Sequence, residues 1–242
     1  MTTGLLVSVR DRKEASDALQ AGADLIDLKE PRHGPLGAVD SAVMHDALHM
    51  VEGRVPVSVA LGELTDVTAA MIADVPRGIS LVKFGLAGCG PQADWHRRLA
   101  AALAGLQDGI GGVAVVYADW QVANAPAPVS VLEHAARTGC RAVLVDTWRK
   151  GAGSLLDLWN LDECAAFVTH VHAAGLRAVL AGSLTMHSIE LLLPLAPDYV
   201  AVRGAVCQGP RTGRLSAQLV TQLKHSMANA NGASSLRLSR TP

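Results

Sequence analysis

Eight short runs rich in aliphatic and β-branched residues recur along the chain, at residues 5–9, 25–29, 57–61, 81–85, 113–119, 142–147, 177–182 and 199–203. Helical periodicity fills the stretches between and after them, at 14–21, 39–51, 67–73, 94–106, 129–138, 161–174, 188–193 and 215–227. Strands separated by helices run parallel, because a parallel neighbour is reached only through a long crossover. Gly22, Gly139 and Gly175 follow helical stretches at the position where a left-handed residue ends a helix without steric cost. Eight such units in 242 residues suit a closed barrel better than an open doubly wound sheet, which usually has fewer strands. The expected fold is therefore α/β, a single-domain (β/α)8 TIM barrel with parallel strands over residues 1–227. No linker divides the units, and the Ala-Pro repeat at 125–128 reads as a loop entering a helix. Residues 228–242, rich in Asn, Ser and Arg, are expected to form a flexible C-terminal tail.

Composition narrows the partners. A chain that is 50% hydrophobic and 18% charged can bury a large core, and a net charge of −1 supplies no basic surface for nucleic acid or for a membrane. No run has the length of a membrane span, and the N-terminus lacks a signal-peptide pattern, so a cytoplasmic protein acting on a small molecule is expected. Cys89, Cys140, Cys164 and Cys207 lie far apart without C-x-x-C spacing and are expected to be free thiols. His45 and His49 have helical ligand spacing but no acidic third ligand, so no metal site is expected. Assembly into a homo-oligomer is left open, since Trp159 and the leucines 191–193 suit an interface or a core equally.

Strand parity says where the polar residues go. Side chains alternate, and in a barrel one parity faces the axis. Ile26 and Leu28 oppose Asp27 and Lys29, Val82 and Phe84 oppose Lys83, Val143 and Val145 oppose Asp146, and Val200 and Val202 oppose Arg203. Every charged residue falls on the axial parity at a C-terminal strand end, the end where barrel active sites lie. Ser8, Ser58, Asp119 and Ser183 add polar groups from the odd strands and the loops that follow them and are expected to bind substrate or its phosphate. Ion pairs that merely cap the barrel are the plainer explanation for any one of these charges. For so many together that explanation is costly, because buried charges lose hydration even when paired.

Lys29 and Lys83 could each lower the other's pKa, leaving a neutral amine to attack a carbonyl, with Asp27 or Asp146 as carboxylate partner. Gly182, Ser183 and Gly204, with Arg203, lie after strands seven and eight, where barrels commonly hold phosphate. The glycine-rich stretch 150–154 would add donors or act as a lid. No Walker A or G-x-G-x-x-G pattern supports a nucleotide. A phosphorylated small aldehyde or ketone fits best.

The segments DLKEPRHGPLGA (27–38), VKFGLAG (82–88), VYAD (116–119), LVDTWRKGAGSLLD (144–157), LAGSL (180–184) and VRGAVC (202–207) resemble the (5-formylfuran-3-yl)methyl phosphate synthase family of methanofuran biosynthesis. The likeness runs from residue 5 to about 223. It implies a lyase, using no cofactor, that condenses two glyceraldehyde 3-phosphate molecules with loss of phosphate and water. By the family pattern Lys29 would form the Schiff base and Lys83 would transfer protons. Asp27, Asp146 and Lys150 would assist, while Ser183, Gly204 and Arg203 would hold phosphate. The chain departs from that pattern at Arg32-His33, where a Lys-Glu type pair is expected, and at Glu63, where aspartate is usual. Two other readings share these features: a Schiff-base aldolase on a phosphorylated sugar, and a non-catalytic phosphosugar-binding barrel.

Overall fold

The computed structural model describes residues 2–238. Its parallel strands are β1 Gly4–Val9, β2 Leu25–Leu28, β3 Val57–Glu63, β4 Leu81–Gly85, β5 Gly111–Tyr117, β6 Cys140–Asp146, β7 Arg177–Leu180 and β8 Tyr199–Val202. They pair in sequence order and close through β8 onto β1, which is the (β/α)8 barrel expected from the alternation. The helices are α1 Arg12–Gln20, α2 Ser41–Val51, α3 Ala69–Ala73, α4 Trp95–Ala104, α5 Pro128–Arg137, α6 Leu155–Leu158, α7 Leu161–Ala173, α8 Met186–Leu192 and α9 Ala217–Leu238. Residues 228–238 of the expected tail continue α9, and its last four residues lie outside the described ones. The short α6 is absent from the sequence reading, because one turn is too brief for periodicity; its signal is the Ser154–Asp157 capping box.

Two apolar layers follow from strand parity. Val7, Ile26, Leu28, Val59, Val82, Phe84, Val143, Val145, Val200 and Val202 pack outward against the helices. Leu6, Leu25, Leu81, Val113, Ala142 and Val179 fill the barrel interior below the mouth. That inner layer keeps water from the lower side of any charge placed above it. The residues below Lys29 and Asp146 therefore help make those charges costly and chemically adjustable. No described helix is long and apolar enough to cross a membrane.

Candidate active site

Register sets which side chains meet. Ser8, Asp27 and Ser58 are direct partners across β1, β2 and β3, so they face the axis at one height. Both hydroxyls donate to the carboxylate, Ser8 Oγ to Oδ2 at 2.9 Å and Ser58 Oγ to Oδ1 at 2.7 Å. Lys83 from β4 forms a buried ion pair with Asp27 Oδ1. On the far side, Lys150 Nζ donates to Asp146 Oδ1 at 2.5 Å and to Thr147 Oγ1 at 3.2 Å. The Thr147 N–H donates to the same carboxylate oxygen at 2.8 Å. Lys29 lies between these pairs, its backbone N–H still donating to Val9 O at 3.0 Å, and its ammonium pairs with neither carboxylate.

The consequence is electrostatic. Burial lowers the pKa of Lys29 to about 8; Asp146 and Asp27 oppose the shift, and Lys150 and Lys83 reinforce it. Burial alone would raise Asp27, but the charges of Lys83 and Lys29 and the Lys83 and Ser58 hydrogen bonds bring it below the usual range. Asp146 is lowered in the same way, burial being outweighed by Lys150, Lys29 and the Thr147 N–H. Lys83 and Lys150 are thus ion-paired with carboxylates, while the unpaired Lys29 is brought towards the neutral amine by its burial.

A cavity of about 430 Å³ opens over this cluster, lined among others by Ser8, Asp27, Lys29, Lys83, Asp146, Lys150, Gly182, Ser183, Gly204 and Arg211. Gly182 has φ 98°, and a Cβ there would come 3.0 Å from Thr147 Cγ2, so a larger residue would push the β7 loop off the β6 loop. Ser183 follows at φ 51°. Ser183 and Leu184 line the cavity, and their backbone N–H groups find no protein acceptor among the described residues.

Three expected binding residues do other work. Arg203 borders the cavity, but its guanidinium turns towards α1, pairs with buried Glu14 through both Nη atoms, and donates to the carbonyls of Ser8, Arg211 and Gly213. All five of its N–H donors are occupied, which leaves none for a phosphate. Asp119 accepts the N–H of Trp148 at 2.6 Å and of Arg149 at 2.9 Å, so it anchors the loop that carries Lys150 instead of lining the cavity. Ser58 is buried and its hydroxyl is committed to Asp27. The 150–154 stretch is tied at its exit as well, where Leu155 N–H donates to Gly182 O at 2.8 Å. Asp119→Ala is expected to leave two backbone N–H groups without acceptors and to cost about 1–3 kcal/mol. Chemical denaturation checks this; an unchanged midpoint would show that the loop holds itself.

Several contributors escape sequence reading. Glu14 occupies the first turn of an amphipathic helix, where an acid normally faces water, and only the fold buries it. Arg211 sits in a Gly/Pro-rich loop that reads as surface. Glu63 reaches over the end of β4 to accept the Tyr117 hydroxyl at 2.6 Å and the Ala87 N–H at 2.8 Å. Burial raises the pKa of Glu63 despite these bonds. Its carboxylate lies where a Cβ on Gly85 would be, 2.2 Å from Oε2, so the glycine admits the longer acid. His45 and His49 are exposed on α2, and the four cysteines are buried and unpaired.

A closed parallel barrel with lysines and carboxylates gathered at its C-terminal mouth has the layout of a (β/α)8-barrel enzyme. The model of the 4-HFC-P synthase family matches residues 5–224, and the chain belongs to that family. It is 30% identical over 226 residues to the (5-formylfuran-3-yl)methyl phosphate synthase of Methanosarcina barkeri, covering 90% of this chain and 97% of that one. The Methanococcus maripaludis protein of the same name is 33% identical over 228 residues, with the same coverage. Among solved structures, KGPDC from Streptococcus mutans superposes with a TM-score of 0.65 at 11% identity, over 95% of this chain and 99% of that one. 3-Hexulose-6-phosphate synthase gives 0.63 at 14%, over 93% and 99%. At those identities the two structures speak for the fold alone.

Proposed function

We propose that this protein is a lyase that condenses two molecules of glyceraldehyde 3-phosphate to (5-formylfuran-3-yl)methyl phosphate in the cytoplasm, as a step of methanofuran biosynthesis. One phosphate and two waters leave. The observation that carries the reading is Lys29: a lysine with its pKa lowered to about 8, unpaired between two lysine–carboxylate pairs, in a cavity with open backbone donors. Its neutral amine attacks the aldehyde of the first triose and forms an imine with loss of water. The imine acidifies the adjacent C–H, and removal of that proton allows the phosphate at the next carbon to leave. The second triose isomerises to its ketone form by moving a proton from C2 to C1, and the enol carbon of the first adds to that C2 carbonyl, so that the remaining phosphomethyl group branches from the future ring. Ring closure, dehydration and imine hydrolysis then give the furan and free Lys29.

The two flanking pairs are suited to the proton transfers. Lys83 lies against Asp27 and Lys150 against Asp146, so each carboxylate has an ammonium with which to exchange a proton as the chemistry proceeds. The backbone of Gly182, Ser183 and Gly204 offers the phosphate seat, and Ser8 holds Asp27 from the cavity side.

The test is borohydride reduction of protein incubated with glyceraldehyde 3-phosphate, read by mass spectrometry and by the near-ultraviolet absorbance of a furan. Adduct plus band is the expected result. The rate of adduct formation should rise with pH through about 8 and level off above it, because the neutral amine is the attacking form. An adduct without the band would identify an aldolase; neither signal in folded protein would leave a phosphosugar-binding barrel.

A further inference from the structure

We propose that Arg211, and not Arg203, is the side chain that reads a substrate phosphate here, setting the preference for phosphorylated over unphosphorylated aldehydes. The inference rests on the triose-phosphate reading above and adds to it the residue that selects the substrate class.

Buried and half-buried cations build the loop from which Arg211 projects. Arg203 Nε donates to Arg211 O at 3.0 Å and its Nη2 to Gly213 O at 2.8 Å, while Arg10 Nη1 donates to Thr212 O at 3.2 Å. Three successive carbonyls are therefore fixed by guanidinium groups. Gln208 N–H closes the loop on Arg214 O at 2.9 Å, and Cys207 bridges Leu215. Gly213 is required there, since a Cβ would come within 2.2 Å of Gln208 O. The platform is preorganised before any ligand arrives, so a side chain carried on it loses little freedom on binding.

Arg211 extends from this platform into the cavity wall. Its one hydrogen bond is from Nη2 to Gly34 O at 3.3 Å, which leaves four of its five N–H donors without a protein partner among the described residues. Arg203, eight residues earlier, has none left. A planar fork with free donors, in the same cavity as the open N–H groups of Ser183 and Leu184, matches a phosphate dianion. The Gly34 contact also joins the loop after β8 to the loop after β2, which begins at Lys29. A phosphate on Arg211 would thus be held on the side of the cavity next to the imine-forming lysine.

Arg211→Gln is expected to bind inorganic phosphate about 10- to 100-fold more weakly than the wild type by calorimetry. The efficiency ratio for trapping glyceraldehyde 3-phosphate against glyceraldehyde should fall by a similar factor. Arg211→Lys should fall between the two, keeping the charge without the fork, and it decides the matter if the glutamine variant does not fold. Equal phosphate binding by wild type and variants, or an unchanged trapping ratio, overturns the role of Arg211. Absence of any wild-type adduct or furan would instead overturn the proposed reaction, and the phosphate measurement would still judge Arg211.

Discussion

Lys29→Ala is expected to leave no reducible adduct and to slow furan formation by at least about 10³-fold. Three lysines reach the cavity, but their surroundings are not equivalent. Lys83 and Lys150 are each ion-paired with a carboxylate, whereas Lys29 has no such partner and its burial, reinforced by two neighbouring ammonium groups, outweighs the pull of Asp146 and Asp27. A nucleophilic amine must be neutral, so the environment selects Lys29. Lys29→Arg is the informative companion. It keeps a cation between Asp27 and Asp146, so loss of the adduct there cannot come from exposing two buried carboxylates to each other. Lys83→Ala should retain the adduct at Lys29 while slowing later proton transfers by about 10²- to 10⁴-fold. Intact-mass analysis after borohydride, with the furan absorbance followed in parallel, separates the cases. An adduct that survives Lys29→Ala and disappears in Lys83→Ala would exchange the two roles.

Glu14→Ala should be the most destabilising single change outside the cavity, costing about 3–5 kcal/mol because it leaves the buried Arg203 charge without its counter-ion. Glu14 is 3% exposed and Arg203 5%. Its carboxylate also accepts the N–H of Arg10 at 2.9 Å and of Leu215 at 3.3 Å, so the change frees two backbone donors as well. Thermal melting at neutral pH measures the loss, at roughly 2–4 °C per kcal/mol for a domain of this size. Burial pushes the Glu14 pKa up, but the Arg203 hydrogen bonds and charge outweigh it and the folded value is lowered. A lowered carboxylate pKa contributes stability above the unfolded value, near 4.3, and loses it as pH falls through the folded value. The variant should therefore lose part of the acid-side decline seen in the wild type. A melting point within the equivalent of about 1 kcal/mol of wild type would show that the three carbonyls bonded to Arg203 satisfy it alone.

The chain's own pattern determined the barrel and the identity of the central charges. Alternation of apolar runs with helical stretches left one economical closure, and strand parity placed Asp27, Lys29, Lys83 and Asp146 on the axis, because a period of two needs no knowledge of neighbouring elements. The roles of Arg203, Asp119, Glu14 and Arg211 were not legible in that way. Parity carries Arg203 to the mouth, but whether its guanidinium turns inward or towards α1 depends on a glutamate 189 positions away that becomes buried only when α1 packs on the barrel next to the loop after β8. Asp119 likewise meets its donors only when β6 delivers Trp148 and Arg149 beside it. Arg211 belongs to a loop whose conformation is imposed by carbonyl contacts from Arg203 and Arg10, with no periodic signal of its own. Backbone periodicity is local and survives in the sequence, whereas the pairing of long, flexible charged side chains is decided by which acceptors the closed barrel brings within reach.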